Sequence, residues 1–257
     1  MSESLPSGTV TLFFSDIEES SRLWDNHKSE MAVALSEHNR LLLDAISSNG
    51  GAVVKDKGDG FFAAFPAADN AVACALSAQR SLRAASWPEP IGTLRVRMAL
   101  HTGTIESENG DYRGPVVNRV ARLEGIAHGG QVLVSDATRA VVEDCLPEGA
   151  SLLDLGAHML RGMERSERVF QLNAPDLSEE FPPLLSAVGG VALPSYPTSF
   201  VGRSAEQREI GDLLDTGDRR LVTLLGPGGI GKTRLAVETA RGIAESLAGG
   251  AFFVDLA

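Results

Sequence analysis

Residues 53–65 read VVKDKGDGFFAAF. Two apolar runs, Val53-Val54 and Phe61–Phe65, flank the charged, glycine-containing stretch Asp56–Gly60. β-Branched and aromatic residues on both sides of such a break read as two strands joined by a turn. The pattern predicts Ala52–Lys55 going out and Phe61–Phe65 returning, with Lys55 and Asp59 flanking the turn.

Upstream, Thr9–Ser15 (TVTLFFS) is a short apolar, β-rich run that predicts a buried strand, and Asp16 follows at its end. Met31, Leu35, His38, Leu42 and Ala45 recur at three- and four-residue steps, which predicts one helical face. Gly50-Gly51 closes that helix as a left-handed C-cap. Downstream, Pro66 is expected to open a second amphipathic helix carrying Val72, Ala75, Leu76, Gln79 and Leu82, broken at Trp87-Pro88. Leu94–His101 alternates as a strand. Pro115 suits the first turn of a helix over Val116–Ala127. Gln131–Ser135 reads as a strand, Asp136 as the N-cap of the next helix, and Ser151–Leu155 and Arg168–Leu172 as closing strands. The order β-α-β-β-α-β-α-β-α-β-β predicts an α+β domain, ferredoxin-like at its centre, with a mainly antiparallel sheet.

Composition bounds the function. The 257 residues include 43% hydrophobic ones, enough for one full core and a smaller second unit. The net charge of −11 repels phosphate backbones, so direct nucleic-acid binding is not expected. No apolar run reaches the ~18–20 residues that cross a bilayer. MSESLPSGTV has neither a basic n-region nor an apolar h-region, so a cytoplasmic location is expected, without a signal peptide or membrane attachment. Cys74 and Cys145 fit no metal spacing and read as buried small hydrophobes.

Three segments carry the chemistry: FFSDIEESSRLW with Asp16 at a strand end, VVKDKGDGFFAAF with Lys55 and Asp59, and DYRGPVVNRVARL with Asp111 in a loop and Asn118 and Arg122 four apart on one helix face. Each alone has an ordinary explanation. A strand-end Asp often caps a helix, a charged turn is usually solvated, and so is an exposed helical Arg. Their joint occurrence in this order is what an ordinary explanation does not supply.

Over residues 7–172, from FSDI through GPVVNRVARL, GGQVLVS and RVFQL, the chain resembles the class III adenylate/guanylate cyclase family. It most resembles the actinobacterial branch in which the cyclase domain precedes an ATPase and a LuxR-type DNA-binding module. The resemblance implies that Asp16, Asp59 and the backbone of Ile17 bind two Mg²⁺ or Mn²⁺ ions, oxygen-preferring cations suited to carboxylates and phosphates. It implies that Asn118 positions the ribose and that Arg122 stabilises transition-state charge. Lys55 and Asp111 match the purine-selecting pair: Lys donates to adenine N1 and Asp accepts from its amino group, which selects ATP. Arg161 in HMLRGM lies near the family's basic residue for the triphosphate, with a solubilising strand-edge Arg as the alternative. The implied enzyme is an adenylate cyclase making cyclic AMP and pyrophosphate at sites shared by a head-to-tail homodimer. The alternatives are a guanylate cyclase and a nucleotide-sensing dimerisation module with little turnover.

The resemblance is incomplete at three places. The branch reads DIEGST where this chain has DIEESS, so Glu19 replaces a glycine that lets backbone amides approach phosphates. Pointing inward, it would add bulk and like charge. Lys57 adds an extra cation to the turn, and Arg113 stands where an aromatic residue is usual.

Residues 174–197 are rich in proline, glycine and serine and read as a linker between a cyclase domain over 1–173 and a second unit over 198–257. There, a helix over Ala205–Leu214 and a strand over Leu221–Leu225 lead to GPGGIGKT, with Gly226, Gly231, Lys232 and Thr233 as phosphate-binding positions. FVGR and LVTLLGPGGIGKT resemble NB-ARC/AAA-type ATPases. The expected unit is a partial α/β P-loop fragment, loosely packed, ending in a strand near Ala257 and completed by a separate chain if at all.

Overall fold

The computed structural model describes residues 5–163, 165–177, 180–185, 193–194, 200, 202–215, 221–227, 229–243, 251 and 253. The chain divides into two units: Met1–Leu160 with Glu164–Leu185, and Arg161–Met163 with Ser186–Ala257.

The first unit is built on a seven-stranded sheet. Its strands are β1 (Gly8–Ile17), β2 (Ala52–Asp56), β3 (Phe61–Phe65), β4 (Val96–Ile105), β5 (Val132–Ser135), β6 (Ser151–His158) and β7 (Glu167–Asn173), in the order β2-β3-β1-β4-β5-β7-β6. The first four strands, with α1 (Ser20–Asn26), α2 (Lys28–Ser48) and α3 (Ala68–Ala84), form the expected βαββαβ centre. The sheet is mixed, which corrects the mainly antiparallel expectation. β4 and β5 run parallel because α4 (Pro115–Glu124) crosses between them, while the other neighbours pair antiparallel.

β1 is buried on both faces because each face has a cover. Phe13 and Ile17 point into the main core with Phe61, Phe65, Met98 and Leu100, where the buried stripe of α2 (Met31, Ala34, His38, Leu42, Ala45, Ile46) and α3 close over them. α4 packs against β4 and β1. Burying a Phe or Leu side chain of this core contributes about 1.5–3 kcal/mol. α2 ends in a Schellman turn: Gly50, at φ +69°, donates to the Ser47 carbonyl, and Gly51 donates to that of Ile46.

Several local expectations are corrected. The single helical stretch after β1 is two helices, broken at His27. Pro66 precedes α3, which begins at Ala68, because residue 67 is still extended. Asp136 is the first residue of α5 (Asp136–Val142), not its cap. Ser135 holds that place, its hydroxyl accepting from the Thr138 N–H. Cys145 is exposed, while Cys74 is buried and its thiol is pushed up to about 12 by that burial. Residues after β7 continue to pack in the first unit: Ala174 and Leu184 are buried, and Leu185 donates to the Ile126 carbonyl.

In the second unit, α6 (Ser204–Asp215) and α7 (Lys232–Ile243) pack together. Leu221–Leu225 forms no strand ladder among the described residues, and Leu221 and Leu225 are 82% and 88% exposed, which corrects the strand expected there. The strand expected near Ala257 lies outside the described residues, as does most of the linker beyond 185. No described helix is long and apolar enough to cross a membrane.

Candidate active site

Asp16 and Asp59 meet because the β2–β3 turn is stitched to the end of β1. The Ile17 N–H donates to the Asp59 carbonyl at 3.0 Å, and the Phe61 N–H donates to the Ser15 hydroxyl at 3.0 Å. The Ser20 hydroxyl, opening α1, donates to Asp59 Oδ2 at 2.6 Å. The turn is closed by Lys57 N–H on the Gly60 carbonyl and Gly58 N–H on Asp56 Oδ1. Gly60 allows the approach: a Cβ there would lie 1.8 Å from the Ser15 carbonyl oxygen.

A bulge aims Lys55. Val53 pairs with Ala63, but Lys55 rather than Val54 pairs with Phe62. The extra residue puts Lys55 on the Phe62 face instead of opposite the buried Phe61. The Phe62 ring packs tilted against Phe14, with centroids 4.6 Å apart, and against Tyr112 at 6.0 Å. Asp111 adjoins Tyr112, whose N–H donates to Asp111 Oδ1 at 2.8 Å, and a Glu108–Asp111 bridge fixes the loop. The Tyr112 hydroxyl donates to the Pro6 carbonyl, and burial pushes its pKa up to about 12. Lys55, paired with Phe62, and Asp111, next to Tyr112, are thus tied to one buried aromatic cluster. Lys57 stands over the Phe14 ring at 5.1 Å.

Two residues that sequence reasoning missed complete the acidic pair. Arg97 on β4 lies directly across from Asp16 in the ladder, and its Nε donates to Asp16 Oδ2 at 3.0 Å. Glu124, at the end of α4, is buried with Oε1 3.0 Å from the same Nε. Burial lowers the Arg97 pKa, but the bond to Asp16 and the charges of Glu124 and Asp16 outweigh it and hold the guanidinium protonated. Burial raises the Glu124 pKa against the opposing pull of Lys57 and Arg97. The signal was available: Leu94, Val96, Met98 and Leu100 take the core face of β4, which leaves Arg97 on the Asp16 face.

α4 carries the two remaining candidate residues. Asn118 is exposed, and Arg122, one turn on, is half-buried. Thr11, Thr102 and Thr138, on the core face toward α5, form a hydroxyl chain at 2.8 and 3.0 Å, and the neighbouring His101 bonds the Ser135 hydroxyl through Nδ1 at 2.8 Å. Burial, helped by the charge of Arg119, pushes the His101 pKa down to about 4. Arg119 itself pairs with Glu167 at 3.3 Å. Glu18 ties the loop after α4 to the end of β1, accepting from the Gly129 N–H at 2.8 Å.

The donor set fits hard divalent cations. Asp16 and Asp59 offer carboxylate oxygens, and the Ile17 carbonyl lies on the same strand end. No cluster of three or more His, Cys, Asp or Glu side chains is placed for a metal among the described residues, so remaining ligands have to come from substrate or water. Arg97 on Asp16 marks this carboxylate as a place where positive charge is already favoured.

The other positions fall apart from this cluster. Glu19 points outward: its carboxylate accepts from Arg22 at 2.7 Å and both side chains are exposed, so it adds no bulk beside Asp16. Its backbone, at φ +56° and ψ +27°, keeps the left-handed conformation a glycine would adopt. Arg113 is exposed, and Arg161 is exposed in the turn between β6 and β7. In the phosphate-loop motif, Gly231 sits at φ +86°, Gly226 is nearly extended, and Thr233 lies in the first turn of α7. Lys232 donates to the Gly226 and Pro227 carbonyls at 2.8 Å each.

The chain belongs to the Adenylate and Guanylate cyclase catalytic domain family, whose match spans residues 3–174. It is 44% identical over 205 residues to an uncharacterized protein of Mycobacterium tuberculosis (strain ATCC 25618 / H37Rv), covering 78% of this chain and 69% of that one. It is 36% identical over 154 residues to the adenylate cyclase of Lachancea kluyveri, covering 51% of this chain and 8% of that protein. Among solved structures it is similar to a Trypanosoma brucei adenylate cyclase in its monomeric state, with a TM-score of 0.64 and 28% identity over 72% of this chain and 99% of that one. It is also similar to the adenylate/guanylate cyclase/hydrolase of Silicibacter pomeroyi, with a TM-score of 0.58 and 32% identity over 65% and 97%.

Proposed function

We propose that the first unit is an adenylate cyclase that converts ATP to 3′,5′-cyclic AMP and pyrophosphate at two sites shared by a head-to-tail homodimer. The observation that carries this is the stitching of the Asp59 turn to the Asp16 strand end, beside a buried Phe14–Phe62–Tyr112 cluster whose strand and loop carry Lys55 and Asp111. Mg²⁺ or Mn²⁺ held by Asp16, Asp59 and the Ile17 carbonyl would supply Lewis acidity, making the ribose 3′-hydroxyl a better nucleophile and offsetting triphosphate charge. Lys55 donates to the purine ring nitrogen, and Asp111 accepts from its amino group. Guanine reverses both edges, so this pair disfavours GTP.

Asn118 orients the ribose and Arg122 offers a planar cation to the charge that builds on the phosphoryl oxygens. Both are supplied by the partner's α4, which is why one chain alone has incomplete sites. Glu19 gives no support to a sensor without turnover, because its carboxylate is engaged by Arg22. In the second unit Gly226, Gly231, Lys232 and Thr233 are assigned to a phosphate-binding loop.

The test is cyclic AMP formation by the purified chain across a protein dilution series, with Mg²⁺ and Mn²⁺ in parallel and GTP as competing substrate. The rate per chain is expected to fall on dilution, and Asp59→Asn to lower turnover by roughly a thousandfold or more. A wild-type chain inactive with both metals overturns the enzyme reading, and a preference for GTP overturns the purine assignment.

A further inference from the structure

We propose that Arg97 is a positioning residue that competes with a divalent cation for Asp16, and that Glu124 is the seat to which Arg97 withdraws when the cation binds. This rests on Asp16 being a metal ligand. Three observations carry it. Arg97 Nε and Nη2 both donate to Asp16 Oδ2, at 3.0 and 2.5 Å, so the single Nε proton is engaged there. Glu124 Oε1 lies 3.0 Å from that same nitrogen yet receives no hydrogen bond from it. The Glu124 side chain is only 8% exposed, so this oxygen has no ready access to solvent either.

A buried carboxylate oxygen without a donor is costly, and a guanidinium already at contact distance is the group that can satisfy it. For Asp16 to ligate a divalent cation through Oδ2, Arg97 would have to give up both of its hydrogen bonds to that oxygen. A small turn of the guanidinium then redirects the Nε–H to Glu124, so Arg97 keeps a carboxylate partner in either arrangement and Glu124 gains its missing donor in the second. The arginine is a fitting group for this exchange because its planar fork stays protonated while it switches carboxylates. Glu124 ends α4, the helix that carries Asn118 and Arg122, so the exchange links occupancy of the metal site to the end of that helix.

The experiment measures Mn²⁺ affinity of the full chain without nucleotide, from loss of the free-Mn²⁺ electron paramagnetic resonance signal. Arg97→Gln removes the competitor and is expected to tighten Mn²⁺ binding about five- to tenfold. Glu124→Gln leaves Arg97 on Asp16 and is expected to weaken it by a similar factor. In the Arg97→Gln background, Glu124→Gln is expected to change affinity by less than about twofold, because the two residues act as one unit. Unchanged or weaker binding in Arg97→Gln overturns the proposal. So does an equal loss from Glu124→Gln with and without Arg97, which would make Glu124 a plain charge. If Arg97→Gln compromises folding, Arg97→Lys keeps the charge without the fork. A smaller tightening supports the exchange, and unchanged affinity overturns it. Asp16→Asn separates the two layers: wild-type Mn²⁺ affinity in that variant means that Asp16 is not a ligand, and the metal-site reading itself fails.

Discussion

The two halves of the site are held by different physics. The half that carries Asp16 and Asp59 is a backbone construction, with N–H groups of Ile17 and Phe61 reaching across the β1–hairpin seam and no room for a methyl group at Gly60. The α4 half stands near buried side-chain polarity: His101 on Ser135, and Arg119 on Glu167. A backbone seam fails by steric intrusion, and its N–H and carbonyl groups do not titrate. A buried imidazole network tolerates small changes of shape but responds to protons. The halves should therefore break under different perturbations.

The largest expected effect is on the seam. In Gly60→Ala the new Cβ meets the Ser15 carbonyl oxygen at 1.8 Å, and all three nearest atoms are backbone, so the hairpin tip has to move. A destabilisation of about 3 kcal/mol is expected. Displacing Asp59 by about 1 Å costs on the order of a hundredfold in turnover. Urea unfolding followed by tryptophan fluorescence reads the stability, since Trp24 and Trp87 both pack against the first unit's core. Wild-type stability in this variant would mean that the seam is not tight, and the contrast between the halves would be lost.

The next effect belongs to the α4 half. His101 has a folded pKa of about 4, below the ~6.5 of an unfolded imidazole. A depressed pKa gives stability that is fully present above about 6.5 and is lost as the pH falls toward 4, because only the unfolded chain takes up the proton in that window. Between pH 7 and pH 5 the loss from His101 is about 2 kcal/mol. His101→Gln removes that titration, so its unfolding free energy should fall less steeply over the same interval. Burial also lowers the His38 pKa, with the same sign, so the slope is reduced rather than abolished. Equal slopes in variant and parent would show that His101 does not set the pH response of this half.

The difference between the halves also marks what the sequence made legible. Strand and helix order follow from local alternation, which is why β1, the hairpin, α2 and α4 could be placed around Asp16, Lys55, Asp59, Asp111, Asn118 and Arg122. The bulge at Val54 could not, because its effect on Lys55 depends on pairing with β3 and not on its own strand. Arg97 and Glu124 lie 27 positions apart and were hidden for the same reason: an Arg in an alternating strand and a Glu at a helix end look solvated until the ladder sets Arg97 opposite Asp16. The parallel β4–β5 pair was hidden behind the count of hairpins, although the crossover helix that requires it was visible. In GPGGIGKT the motif was legible, but Leu221–Leu225 shows that an apolar β-rich run does not make a strand without a partner strand to pair with.

The smallest effect tests the turn that follows Asp16, which belongs to the backbone half yet carries a side chain where the family resemblance expects glycine. Glu19 costs the fold a left-handed backbone, about 1 kcal/mol or more for an L-residue. A glycine there relieves that strain, but it loses more conformational freedom on folding, by roughly 0.5–1 kcal/mol. The Glu19–Arg22 pair is exposed and adds little. Glu19→Gly is therefore expected to stabilise the first unit by no more than about 1 kcal/mol and to leave ATP turnover within about twofold of the parent. The outward carboxylate makes the second expectation the sharper one. A large rise in turnover would mean that Glu19 turns toward the phosphates when nucleotide binds, and that this half of the site is gated by a side chain as well as built from backbone.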